Sequence, residues 1–195
     1  MKLPPIHPQE SARQAAVEQL NLTGPEFEEV FDRLTRMIRY VLGVRAAIFT
    51  VVDRERQFFK SRQGLDLRET PRELAFCAHT ILGDDLLVVD DATQDERFNA
   101  NPMVTGAPRI RFYAGIPVRA PNGLPIGALC ALDEYPRQLM PQQRALLMDL
   151  RDILEETLLL RLIKQQPSAA ARYLLGQELL VNGGAKPEQA GQSSC

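Results

Sequence analysis

A chain of 195 residues, 45% apolar and 25% charged, has the make-up of a folded globular protein with room for one domain and appendages. A formal net charge of −2 excludes a strongly basic nucleic-acid surface and an acidic solvating tail. The 3 cysteines, Cys77, Cys130 and Cys195, are too few and too odd for a disulfide framework, so a reducing, cytoplasmic setting is expected.

The opening "MKLPPIHPQE" has no apolar centre of the kind a signal peptide needs, and no run approaches the ~18 apolar residues of a membrane span. Residues 1–24 read as a proline-rich start followed by a short helix in "ESARQAAVEQLNL". The next segment, "TGPEFEEVFDRLTRMIRYVLGV", predicts a stronger helix. Pro25 suits its first turn, and Phe27, Val30, Phe31, Leu34, Ile38, Val41 and Leu42 recur every three or four residues up to the stop at Gly43.

"VRAAIFTVVD" and "QFFKSR" predict two strands around a turn at 53–56. Thr70 and Glu73 stand in the order of a capping box before a short helix over 76–82 that stops at Gly83. "LLVVD" predicts a third strand. "DATQDERFNANPMVTGAPR" predicts a long polar loop, a length that in a compact domain is usually functional. "RFYAGIPVRA" and "LPIGALCALD" flank Asn122-Gly123 and predict a hairpin in which Arg119 faces Ile126 and Gly115 faces Cys130. "MPQQRALLMDLRDILEETLLLRLIKQQ" predicts a last long helix whose leucines cover more of its circumference than one core contact needs. Residues 164–195 read as a short helix, over 168–181, and a low-complexity tail.

The order of elements implies an α+β fold with an antiparallel sheet. The motifs "AFCAHTIL", "LLVVDDATQDERFNANPMVTGAPRIRFYAGIPV", "PNGLPIGALCALD" and "LMPQQRALLMDL" together resemble the GAF domain, in the bacterial subgroup that precedes sensor kinases and diguanylate cyclases. The resemblance spans 25–163. It implies a central antiparallel sheet of about five or six strands, with long terminal helices on one face and a short helix and loops closing a small pocket on the other. It also implies a homodimer paired through the terminal helices. No stretch after Leu162 has the length of a kinase or cyclase domain, so output through a separate partner protein is expected.

Cys77 and His79 raise the question of chemistry. On a helix, positions i and i+2 point about 200° apart, which is poor geometry for a catalytic dyad or a shared metal. No third ligand is evident, so neither a metal nor a cofactor is expected. His79 is expected to hydrogen-bond backbone or an acid such as Asp90 or Asp91, and Cys130 to behave as a small hydrophobe. The acids of "DDATQDERF" lack the alternation and turn glycine of a calcium loop.

Specialised members of the resembled family fit less well. "GAPRIRFYAG" lacks the cysteine that free-methionine sulfoxide reductases carry before the hairpin. Ala78 separates the cysteine from the histidine that adjoins it in bilin-binding members. No lysine lies between Lys60 and Lys164 to complete a cyclic-nucleotide signature, and His79 is the one plausible haem ligand. The expectation is therefore a sensor of an unidentified small molecule, not an enzyme, and without nucleic-acid or membrane partners. Its pocket is expected to be lined by Phe49, Phe59, Cys77, His79, Asp90, Asn101, Phe112, Tyr113 and Cys130. Two alternatives stand beside it. One is a thiol-based reductase using Cys77, with Cys130 as the internal resolving candidate. The other is a ligand-free dimeric scaffold for a kinase or cyclase.

Overall fold

The computed structural model describes residues 1–24 and 28–165. The expectations placed on 25–27 and on 166–195, including the short helix over 168–181, lie outside the described residues.

Two helices open the chain, α1 (Glu10–Leu20) and α2 (Glu29–Leu42). Glu28 precedes α2 in an extended conformation, and Gly43 ends it in the left-handed region at φ 60°. Then follow β1 (Ala46–Val52), β2 (Arg56–Gln63) and the short β3 (Glu69–Pro71). The expected capping box does not form. Thr70 is a strand residue paired with Gln57, and a 3₁₀ turn at Arg72–Leu74 leads into α3 (Phe76–Thr80). After β4 (Leu87–Val89), the long loop holds one short helix, α4 (Pro102–Thr105). The hairpin β5 (Phe112–Arg119) and β6 (Pro125–Asp133) precedes α5 (Pro141–Gln165).

All strand pairs are antiparallel, in a 6-stranded sheet of order β3-β2-β1-β6-β5-β4. Gly115 faces Cys130 as expected, but Arg119 faces Pro125 across a bulge after Val118. The turn is one residue longer than a two-residue loop. Gly123 N–H bonds to Ala120 C=O at 2.8 Å, and Gly123 takes φ 81°, so the bulge and the extra turn residue compensate.

Both faces of the sheet are covered, and the side-chain alternation of the strands sorts residues between them. Ala47, Phe49 and Val51 of β1, Phe112, Ala114, Ile116 and Val118 of β5, and Leu129 and Ala131 of β6 face α1, α2 and α5. From α5 this face receives Leu147, Leu150, Leu154, Leu158 and Leu162, one residue every three or four. Ile48, Val52, Phe59, Tyr113, Ala128 and Cys130 face the opposite way, under α3 and the long loop.

The edges are pinned by charge. Arg13 is fully buried on α1, bonded to Glu10 at 2.9 and 3.0 Å and reaching the carbonyl of Pro125. Glu10 also receives Arg72 at 2.6 and 3.0 Å, which joins α1 to the turn before α3. Burial alone pushes the Glu10 carboxyl up. Hydrogen bonds from Arg13, Arg72 and Gln14 override it and hold the group well below the usual carboxylate range. Among the described residues no helix is long and apolar enough to cross a membrane.

Candidate functional site

The loop-covered face holds an interior cavity. Its floor is Ile48 of β1, Gln57 and Phe59 of β2, Tyr113 of β5 and Cys130 of β6, with Cys77 of α3 over them. Leu65, Met103, Pro108 and Ile110 wall it on the loop side. The space left to a water-sized centre is about 20 Å³, room for roughly one water. An adjoining cleft of similar size shares Leu65, Pro108, Ile110 and Leu132 and opens beside Arg45 and Glu134, themselves ion-paired at 2.5 Å.

Of the residues the sequence put in a pocket, Phe59, Cys77, Tyr113 and Cys130 line this cavity. Phe49 and Phe112 do not. Each is a strand neighbour of a lining residue, Ile48 and Tyr113, so the two-residue period turns it to the helical face. Asp90 is exposed, and its contact with the rest of the fold is a carbonyl that accepts from Arg137 N–H at 3.0 Å. Asn101 is buried but structural. Its Oδ1 caps α4 by accepting from Met103 N–H at 2.9 Å, and its Nδ2 donates to Leu74 C=O at 2.9 Å. It thereby fixes the wall that carries Met103.

His79 makes neither expected acid contact, but it does make the backbone hydrogen bond that was the alternative, to Lys2. Its ring meets the edge of Phe98 at 5.0 Å between centroids, in a stack continued by Phe76 at 4.0 Å. Burial, then the Arg97 charge, holds its pKa below the ordinary imidazole value. Asp91 and Asp95, in the acidic stretch that lacks the pattern of a calcium loop, shape their own turns. Asp91 accepts from Thr93 N–H at 2.9 Å, and Asp95 from Arg97 N–H at 2.9 Å.

The sequence reading missed Ile48 and Gln57. A signal existed for both, since each shares a strand face with a residue that was chosen or should have been, Gln57 with Phe59 two positions on.

The polar part of the cavity is a chain of four side chains. Thr80 Oγ1 lies 2.5 Å from Tyr113 Oη. The Tyr113 hydroxyl donates to Cys77 Sγ at 3.3 Å, and Cys77 Sγ lies 3.8 Å from Cys130 Sγ. Gly115 makes this reach possible. A Cβ there would sit 2.0 Å from the Tyr113 oxygen, so the phenol lies over a residue without a side chain. Burial pushes the Cys77 thiol up, but hydrogen bonds from Cys130, Thr50 and Tyr113 outweigh it and lower the pKa. The hydrogen bond to Cys77, followed by burial, raises Cys130 well above the ordinary thiol value. Tyr113 is raised well above the phenol value, chiefly by burial. The Tyr113 hydroxyl thus singles out Cys77, of the two sulfurs, as the one that receives an O–H donor.

The family model for the GAF domain matches residues 26–158. A cyclic di-GMP phosphodiesterase of Pseudomonas aeruginosa is 44% identical over 137 residues, which cover 70% of this chain and 23% of that protein; the chain thus spans less than a quarter of this curated relative. The fold superposes on the GAF domain of an Acinetobacter phosphoenolpyruvate-protein phosphotransferase at TM-score 0.55, with 15% identity, covering 76% of this chain and 90% of that one. It superposes on the free methionine-R-sulfoxide reductase of Neisseria meningitidis at TM-score 0.54, with 20% identity, covering 80% and 95%. The expectation of a protein outside enzyme chemistry is corrected by these likenesses: the 44% identical relative is named as an enzyme, and a reductase shares the fold. The sheet order, the two covered faces and the matched span together place the chain in the GAF domain family.

Proposed function

We propose that the chain is a small-molecule-sensing GAF domain that regulates cyclic di-GMP hydrolysis. The observation that carries this is its 44% identity over 137 residues, 70% of the chain, to part of a cyclic di-GMP phosphodiesterase. The cavity supplies a place for a ligand, and α2 and α5 supply a route to a neighbour. On those helices Val30, Met37, Val41, Ile153 and Leu160 stay exposed beside the buried core positions. Soluble monomers seldom leave such stripes open, which supports a homodimer through the terminal helices. Leu154 and Leu158 point into the core, so Ile153 and Leu160 are the outward interface positions.

The test is a chimera in which this chain's matching segment replaces that of the Pseudomonas aeruginosa phosphodiesterase. Small molecules released from the purified chain on unfolding, identified by mass spectrometry, are added back while cyclic di-GMP hydrolysis is measured. A change in rate of roughly 5-fold or more is expected. An active chimera with an unchanged rate would overturn the proposal.

A further inference from the structure

Cys77 and Cys130 are 53 positions apart in sequence, on α3 and β6, and their sulfurs meet at 3.8 Å in the cavity. Packing accounts for two small buried side chains. It does not account for what surrounds them. Cys77 has the Tyr113 hydroxyl aimed at its sulfur, with Thr80 behind, and a glycine at 115 that leaves the phenol room. Gln57 lines the same cavity, is buried, and its Oε1 has no hydrogen-bond partner among the described residues. A buried amide oxygen left unpaired is costly, and here it belongs to a residue of the cavity wall. The cavity admits little more than one water, so the molecule must have very few heavy atoms.

We propose that this group is a dithiol site for hydrogen peroxide, with Cys77 as the attacking and Cys130 as the resolving sulfur. The proposal rests on the loop-face cavity being the sensory site, and it names the class of molecule sensed there. Cys77 Sγ attacks one peroxide oxygen and the O–O bond breaks. The thiol proton of Cys77 ends on the departing hydroxide as water, leaving Cys77 as a sulfenic acid. Cys130 Sγ then attacks the Cys77 sulfur, the S–O bond breaks, and the hydroxide leaves with the Cys130 proton as a second water. Two thiols lose two electrons and one peroxide becomes two waters. Closing the S–S bond requires the sulfurs to approach from 3.8 Å to about 2.05 Å. The Tyr113 hydroxyl, donating to Cys77 Sγ at 3.3 Å, stabilises negative charge on that sulfur and marks it as the attacking one. The disulfide would join α3 to the central strand β6, replacing a van der Waals contact with a covalent bond beneath the loop.

The experiment uses the 195-residue chain with Cys195→Ala, fully reduced, exposed to hydrogen peroxide and quenched by alkylation. Intact mass should fall by the two hydrogens of one disulfide, and digestion should yield a peptide joining Cys77 to Cys130. The rate should exceed that of the same chain in urea by about 10-fold or more, since a stabilised thiolate is the reactive form. Cys130→Ser, or Cys130→Ala if serine unfolds the chain, should stop at a Cys77 sulfenic acid trapped by a cyclic 1,3-dione. Tyr113→Phe should slow the first step while keeping the fold. Oxidation no faster than in urea, or first oxidation at Cys130, would overturn the proposal. Inert thiols in a chimera that still answers another ligand would overturn the dithiol alone. A reactive dithiol in a chimera whose hydrolysis never changes would overturn the phosphodiesterase reading alone.

Discussion

The two faces of the sheet are built on different principles. The helical face is aliphatic and is closed by three helices that repeat a three-and-four spacing. The loop face is closed by one helix of 5 residues, a 3₁₀ turn and a loop, and its interior mixes stacked aromatic rings with two thiols, a phenol and an amide. Long regular elements can fill space completely, because each turn offers another side chain to the same groove. Short irregular ones leave gaps and need polar side chains to satisfy their backbone. One face is therefore suited to rigid transmission and the other to sensing, and the strands between them serve both with alternate residues.

Adjacent positions on β6 expose this difference most sharply. Leu129 is fully buried against the helices, so Leu129→Ala should cost about 2–5 kcal/mol in urea unfolding. Cys130 faces the cavity, where some space already exists, and Cys130→Ala should cost about 1 kcal/mol. Equal costs would break the comparison. The next effect is at Glu10, which touches both sides through Arg13 and Arg72. Glu10→Gln leaves the fully buried Arg13 without its counter-charge, and about 3 kcal/mol should be lost. Because its folded pKa lies below the unfolded value of about 4.3, the stabilisation is complete above that pH and is lost as pH falls below it. The parent's stability should decline with acid in that range, and the variant's less steeply.

The helical face was legible in the sequence and the loop face only in part. The stripe of α2 up to Gly43 and the leucines of α5 follow a local period that tertiary contacts merely use. The hairpin register was legible too, although the turn that sets it is longer than Asn122-Gly123 alone implies. Pocket membership was harder. Phe49 and Phe112 were misplaced by applying aromatic character before the strand period, and Ile48 and Gln57 were passed over for the same reason. Cys130 could be named from the sequence as the one internal partner for Cys77, but not the contact itself, since that depends on how α3 lies across β6 and no local pattern encodes that angle. Asn101 was found for the wrong reason: its side chain is spent on Met103 and Leu74.

That bonding makes Asn101 the sharpest probe of the loop face alone. Asn101→Ala removes a helix cap and the bond to Leu74, and about 1–2 kcal/mol should be lost. Hydrogen exchange should speed up over 98–110 and leave α2 and α5 unchanged. Equal acceleration in the long helices would mean that the two faces open together and are not separable units.

The smallest effect expected is the titration of His79, and it lies wholly on the loop side. The ring packs on Phe98 near the Arg97 guanidinium, which stands 5.1 Å from that same phenyl centroid. Burial first, and then the Arg97 charge, disfavours the imidazolium; backbone contact from Lys2 and the Asp95 charge oppose them more weakly. The folded pKa therefore lies below the unfolded value of about 6.5, and the folded state binds less than its share of protons as pH drops through that window. Stability should be level above pH ~6.5 and should fall below it, by under ~1 kcal/mol because the ring is only half-buried and solvent screens the charges. His79→Gln should abolish that slope, and proton NMR of the ring in the parent should place its midpoint below the unfolded value. The loss should appear as faster exchange over α3 and the loop before any change in α5. A midpoint above 6.5 would mean that the Asp95 side of the ring outweighs burial, and the loop face would then tighten in mild acid rather than loosen.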